Sequence, residues 1–213
     1  MSCPICERRP PKRFCPAKGE KICAVCCGRE REVTIDCPAD CPHLLNAHRY
    51  EAEHRKRLPP EELPYRGVQV RPDFVYERWA VIAGLATVIL RFQLQNKELN
   101  DTTAFAAIGA LAETYRTLGT GIYYERPPDA PLPRALYGEI AQFLQEFRKS
   151  EGARAGFPAL RESDVFQLLV FLLRVAKQET NGRPRSRAFL GFLRERFPLP
   201  AEETKEPSRI IIP

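Results

Sequence analysis

Beyond His54 this chain of 213 residues contains neither cysteine nor histidine, and it has one methionine and one tryptophan in all. The long C-terminal part therefore lacks the thiol and imidazole groups on which most nucleophilic catalysis, neutral-pH proton transfer and soft-metal ligation depend. Long apolar runs are absent too. The most apolar uncharged stretches, Trp79 to Leu90 and Val165 to Leu173, fall well short of the roughly 20 residues a membrane helix needs. No charged n-region followed by an apolar h-region opens the chain, where Met1 leads directly into Ser2, Cys3 and Pro4, so a cytoplasmic protein is expected. Neither sign of charge dominates: the net charge is +6, with 12 basic against 10 acidic residues before Tyr65 and 21 against 17 from there on. That balance does not by itself imply a nucleic-acid partner. There is also no P-loop, dinucleotide fingerprint or spaced carboxylate motif, so no catalytic residue is assigned and the chain reads as a non-enzyme.

What is present is concentrated at one end. All eight cysteines lie between Cys3 and Cys41, and the three histidines follow at His43, His48 and His54. In a reducing compartment such crowding points to thiolate ligands rather than disulfides. Cys3-Pro4-Ile5-Cys6 and Cys23-Ala24-Val25-Cys26 are two C-x2-C pairs, and together they supply the four ligands of a tetrahedral zinc site. Cys15, Cys27, Cys37 and Cys41 are left over. Because Cys15 falls between the two pairs of the first site, a second site would interleave with it in cross-brace order. Cys15, Cys37 and Cys41 give three ligands, and Cys27, His43 or His48 is the fourth. Two zinc ions are therefore expected rather than one.

A catalytic zinc does not fit the histidines. On a helix His48 and His54 lie about 240° apart and cannot grip one ion together. A thioredoxin-like reading of Cys23-x-x-Cys26 would require a βαβ setting, of which the remaining sequence gives no sign.

The order Phe14-Cys15, Lys21-Ile22-Cys23-x-x-Cys26 and then a late cysteine and histidine group resembles the B-box zinc finger and its MYND and HIT relatives, over residues 3–48 only. The resemblance implies that the first and third ligand pairs share one zinc and that the second and fourth pairs share the other. It also implies a finger that binds proteins and performs no chemistry. The chain departs from that pattern at Lys18, where a B-box carries Cys or Asp. As a whole the chain is similar to bacterial proteins with such an N-terminal cysteine module.

The remainder reads as helical. A polar exit helix over 44–57 closes the zinc-binding module (1–57), and a proline-rich stretch with Pro59, Pro60, Pro64 and Pro72 forms a linker (58–72). A bundle of roughly five helices follows (73–197), then a loose tail (198–213) ending in Ile210-Ile211-Ile212. The bundle helices run from Asp73 to about Gln95, from Asn100 or Asp101 to Gly119, from about Pro133 through Phe147, from a Ser163 cap through Lys177, and from a Ser186 cap to Pro198. The first and fourth are apolar on nearly every face and are expected to be sandwiched by the others. The fold class is thus mainly α, with a small two-zinc cross-brace module at the N-terminus.

Three further features could bind something. The loop from Gly119 to Pro128 contains Tyr123 and Tyr124, although folding back onto the core is the expected role of its Ile122 and Tyr123. Arg183, Arg185 and Arg187, at the start of the fifth helix, are possible anion or phosphate contacts. Arg8, Arg9, Lys12, Arg13, Lys18 and Lys21 surround Phe14 in the finger. The leading expectation is an adaptor or regulatory protein acting through protein contacts, and a nucleic-acid-binding finger is the alternative.

Overall fold

The computed structural model describes residues 2–121, 123–152 and 160–200. It is mainly helical, and its two hydrophobic cores are separate: one of cysteines with Ile22, Ile35 and Leu44, the other formed by the helices from residue 72 onward. The isoleucines of the tail lie outside the described residues, as does Ile122.

The N-terminal core is built on a small hairpin, β1 (Arg13–Cys15) paired antiparallel with β2 (Glu20–Ile22), in the register Phe14 opposite Lys21. Gly19, at φ +68°, supplies the left-handed residue that the tight return needs. Strand alternation turns Cys15 and Ile22 inward and Phe14 and Lys21 outward. Helix α1 (Ala24–Glu30) starts directly after Cys23, and helix α2 (Pro42–Glu53) starts after Cys41 with Pro42 in its first turn, where a missing N–H does no harm.

The stretch after α2 is held in place rather than free. Arg174 donates to the carbonyls of Pro64, Tyr65 and Val68 at 2.7–3.0 Å, and Tyr65 packs edge-on against Phe166. These bonds turn the expected linker into a strap across the bundle.

The bundle comprises α3 (Pro72–Glu77), α4 (Trp79–Gln95), α5 (Asp101–Leu118), α6 (Pro131–Gly152), α7 (Glu162–Glu179) and α8 (Ala188–Arg196). Its first expected helix is broken at Arg78, which leaves helical geometry at φ −103°, ψ 18°. Its middle is α5, which packs on α6, α7 and α8, while α4 packs on α3, α6 and α8. This corrects the expectation that the two most apolar helices would be sandwiched. Small residues explain the difference: Ala104, Ala107 and Ala112 are fully buried and let α5 be approached from several sides.

Two caps also differ from expectation. Ser163 lies inside the first turn of α7, and Asp164 reaches back to the Arg161 N–H at 3.2 Å. At α8 the cap comes from another helix: the Asp101 carboxylate accepts from the N–H groups of Phe189 and Leu190 and from the Ser186 hydroxyl. Among the described residues, no helix is long and apolar enough to cross a membrane.

Candidate metal centre

Cys3, Cys6, Cys23 and Cys26 converge so that their sulfur atoms all lie within 4.8 Å of one another. Local structure explains how. Cys23 is the N-cap of α1, its Sγ accepts the Cys26 N–H at 3.3 Å, and the Cys23 N–H in turn donates to Cys3 Sγ at 3.2 Å. The Cys6–Cys23 sulfur separation is 3.9 Å, close to the ~3.8 Å edge of a thiolate tetrahedron built on metal–sulfur bonds of about 2.3 Å. The donor set therefore fits a metal ion.

Crowding drives two of these thiols in opposite directions. Burial pushes Cys3 up, but N–H groups of Cys23, Ile5 and Cys6 pull it further down, to about 6. Cys26 is driven up to about 12 by burial and by its sulfur neighbours. Such a group surrenders its first proton readily and resists losing the last, and a divalent cation removes that resistance.

The other four cysteines belong to the same core and line a cavity that none of the first four borders. Cys26 and Cys27 are adjacent on α1 and so point about 100° apart, which sends Cys26 to the first group and leaves Cys27 facing elsewhere. Cys15, Cys27, Cys37, Cys41 and His43 line one enclosed cavity of about 10 Å³. Cys41 is the N-cap of α2 and Cys37 precedes it in a turn closed by the Cys41 N–H on the Pro38 carbonyl, so this pair spans a helix entrance rather than a helical turn. Burial, with Cys41 and Cys15 nearby, pushes the Cys37 thiol up to about 11. Among the described residues, only the Cys3 group forms a set of potential ligand atoms that all meet within 4.8 Å.

The histidines separate. His43 borders the cavity. His48 is turned away, with Nε2 at 2.9 Å from the Glu32 carboxylate. His54 stacks on Tyr50 and donates from Nδ1 to the Tyr50 carbonyl at the exposed end of α2.

Glu32 belongs to a seam that the sequence did not reveal. Its carboxylate is fully buried, and besides His48 it accepts from Asn181 at 2.8 Å and from the Arg187 N–H at 2.7 Å; its carbonyl accepts the Arg185 N–H. Burial raises the Glu32 carboxyl, and His48, Asn181 and the Arg187 N–H outweigh it, holding the group below the usual carboxylate range. Arg187 donates across the seam to Asp36 and to the carbonyls of Cys37, Leu99 and Lys97. Arg183 donates to the carbonyls of Gly28 and Arg31. This corrects the anion-site expectation: the guanidinium groups of Arg183 and Arg187 are taken up by carbonyls of the N-terminal unit and, for Arg187, of Lys97 and Leu99 as well, and of the three only Arg185 is exposed.

Elsewhere, a groove of about 750 Å³ opens between α2, the strap, α7 and α8, lined by Leu58, Leu63 and Phe192 and by the Arg55–Glu179 ion pair. Tyr123 and Tyr124 are exposed, and Tyr123 donates to Glu125 rather than entering the core. Comparison with protein-family models, with curated proteins and with solved structures finds no match to the chain.

Proposed function

We propose that this is a non-enzymatic recognition protein in which zinc, held by Cys3, Cys6, Cys23 and Cys26, shapes a small finger fixed to a helical bundle. The observation that carries this reading is the closed donor set. Four thiols fill a tetrahedron, whereas a catalytic zinc keeps one position open for water or substrate. Zinc is the natural occupant of an all-thiolate tetrahedral site in a reducing compartment, and it stabilises a module too small to fold on apolar burial alone.

The reading extends to a second zinc at Cys15, Cys37 and Cys41, with Cys27 or His43 as fourth ligand. Support comes from their common cavity and from the way α1 divides Cys26 and Cys27 between two sides. His43, not His48, borders that cavity, and the Nδ1 of His48 faces Gly191 of α8, which favours Cys27 or His43. This is the cross-brace order of the B-box and MYND fingers, and a non-catalytic finger of that kind remains the proposed relationship.

The adaptor reading calls for an apolar groove on the finger. The cavity described there is small and enclosed by the finger's own thiols, whereas the outer face of the hairpin carries cations that make no ion pair among the described residues, which favours the nucleic-acid alternative.

The test is thiol accessibility. With a thiol-reactive dye under native conditions, two bound ions protect all eight cysteines until a strong chelator is added, and a single ion at the first site protects four. Rapid reaction of Cys3, Cys6, Cys23 and Cys26 in freshly purified, folded protein would refute the reading.

A further inference from the structure

The finger's outward face has a character that its metal sites do not explain. Arg8, Arg9, Lys12, Lys18 and Lys21 are exposed and Arg13 is half-buried, and among the described residues none of the six makes an ion pair. The acids that balance them in the sequence are partly withdrawn. Glu32 is buried in the seam and Glu30 is half-buried and bonded to the Thr34 hydroxyl at 2.7 Å, which leaves Glu7 and Glu20 as the fully exposed acids against six cations. Among these cations stands Phe14, 55% exposed, beside its cross-strand partner Lys21. An exposed phenyl ring gains nothing from water, and Phe14 only borders the thiol cavity with the part that is covered.

The backbone under this face is fixed. The Cys3 N–H donates to the Arg9 carbonyl at 2.8 Å, the Lys12 N–H donates to the Ile22 carbonyl at 3.0 Å, and the Lys18 N–H closes the hairpin turn on the Cys15 carbonyl at 3.1 Å. The hydrogen bonds to the bundle come from residues 28–37 and 51, so among the described residues this face is turned to solvent.

We infer that the hairpin face around Phe14 binds single-stranded nucleic acid, Phe14 stacking on a base while Lys12, Lys21, Arg8 and Arg9 contact flanking phosphates. Charge complementarity and the ring select this partner. Two three-residue strands are too short to read a duplex groove, but a ring among cations is the pattern of a sequence-tolerant single-strand platform. An acidic protein segment would meet the same charge without a flat base for the ring to stack on. The inference rests on the metal-shaped finger proposed above.

The experiment is fluorescence anisotropy of labelled 12-nucleotide oligo(U) and oligo(dT) against the full chain, with zinc content measured on the same sample. Binding of either strand that weakens with salt, with a log–log slope of about −2 to −4 for three to six phosphates, is expected. A preference between the strands reports whether the 2′-hydroxyl is read. Phe14→Ala should weaken binding about tenfold with little change in slope, and Phe14→Trp should restore it. Lys12→Glu with Lys21→Glu should lower both affinity and slope, and Arg126→Glu with Lys149→Glu on the bundle should do neither. Zinc-loaded protein that binds neither strand overturns this inference alone. So does binding that ignores Phe14→Ala and is displaced equally well by a poly-glutamate peptide. A chain that carries no zinc overturns the reading beneath it.

Discussion

The backbone N–H of Arg187, at the entrance to α8, donates to the buried carboxylate of Glu32 at 2.7 Å, across 155 positions of sequence. Around this bond the finger and the bundle, each with its own apolar core, share a polar seam in which Asn181, Arg183, Arg185 and Arg187 satisfy the carbonyls and the carboxylate of residues 28–37. Glu32 sits there at φ 55°, an unfavourable backbone for a side chain of its size, held by what its carboxylate and carbonyl accept.

Replacing that carboxylate leaves buried donors without partners. Glu32→Ala should lower unfolding stability by about 2–4 kcal/mol, and Glu32→Gln by less, because the amide keeps one acceptor. Chemical denaturation of both variants measures this; a loss under about 0.5 kcal/mol would mean that water replaces the seam.

Metal removal should be felt beyond the cysteines. On chelation the bundle core survives, but the amides of residues 181–187 and 97–101 lose hydrogen-exchange protection, since their partners at Glu32, Asp36 and Cys37 are no longer held. Exchange that rises only within residues 2–50 would show the seam to be passive.

Arg174 bridges the strap to α7 through three carbonyls. Arg174→Ala should cost about 2–3 kcal/mol and expose residues 57–71 to protease while the helices remain resistant. Limited proteolysis with mapping of the cut sites distinguishes strap from linker.

Glu113 gives a pH signature. Burial raises its carboxyl, and the Tyr65 hydroxyl with Arg116 outweighs this and holds it below its ordinary 4.5. A depressed folded value stabilises the protein above the ordinary carboxylate range, and that stability is lost as pH falls through the folded value. Tyr65→Phe removes the 2.5 Å bond and narrows the difference between the two values, leaving the part that Arg116 supplies. The stability gap between wild type and variant should then be full at pH 6 and shrink below about 4.5, as thermal midpoints across that range will show.

Gly84 sets the distance between α4 and α6, because a methyl group there would lie 2.1 Å from the Phe143 ring. Gly84→Ala should destabilise by about 1–2 kcal/mol although alanine favours the helix. An increase in thermal midpoint would show instead that Phe143 swings aside freely.

Much of this architecture is legible in the sequence because it depends on local spacing. Two C-x2-C pairs predict the group that the structure assembles, and Asn100 caps α5 as expected through its bond to the Thr103 N–H. What escaped detection depends on long-range partners. Glu32 reads as one surface acid among several until the chain brings Asn181 and Arg187 to it, and Arg183 and Arg187 look like anion contacts until the carbonyls they serve are seen. The cap of α8 by Asp101 was hidden for the same reason, with Ser186 offering a plausible local substitute that supplies only part of it. Apolar content does not mark the helix with the most neighbours, because alanine-lined faces determine how closely helices approach, and α5 has them.

The most direct test of the central proposal is zinc per chain by elemental analysis of wild type, Cys23→Ser and Cys27→Ser. The account predicts two ions in wild type, with Cys23→Ser losing the ion of the first group and Cys27→Ser losing the other or, if His43 completes that site, retaining both. Wild-type protein with no zinc would contradict it at the root.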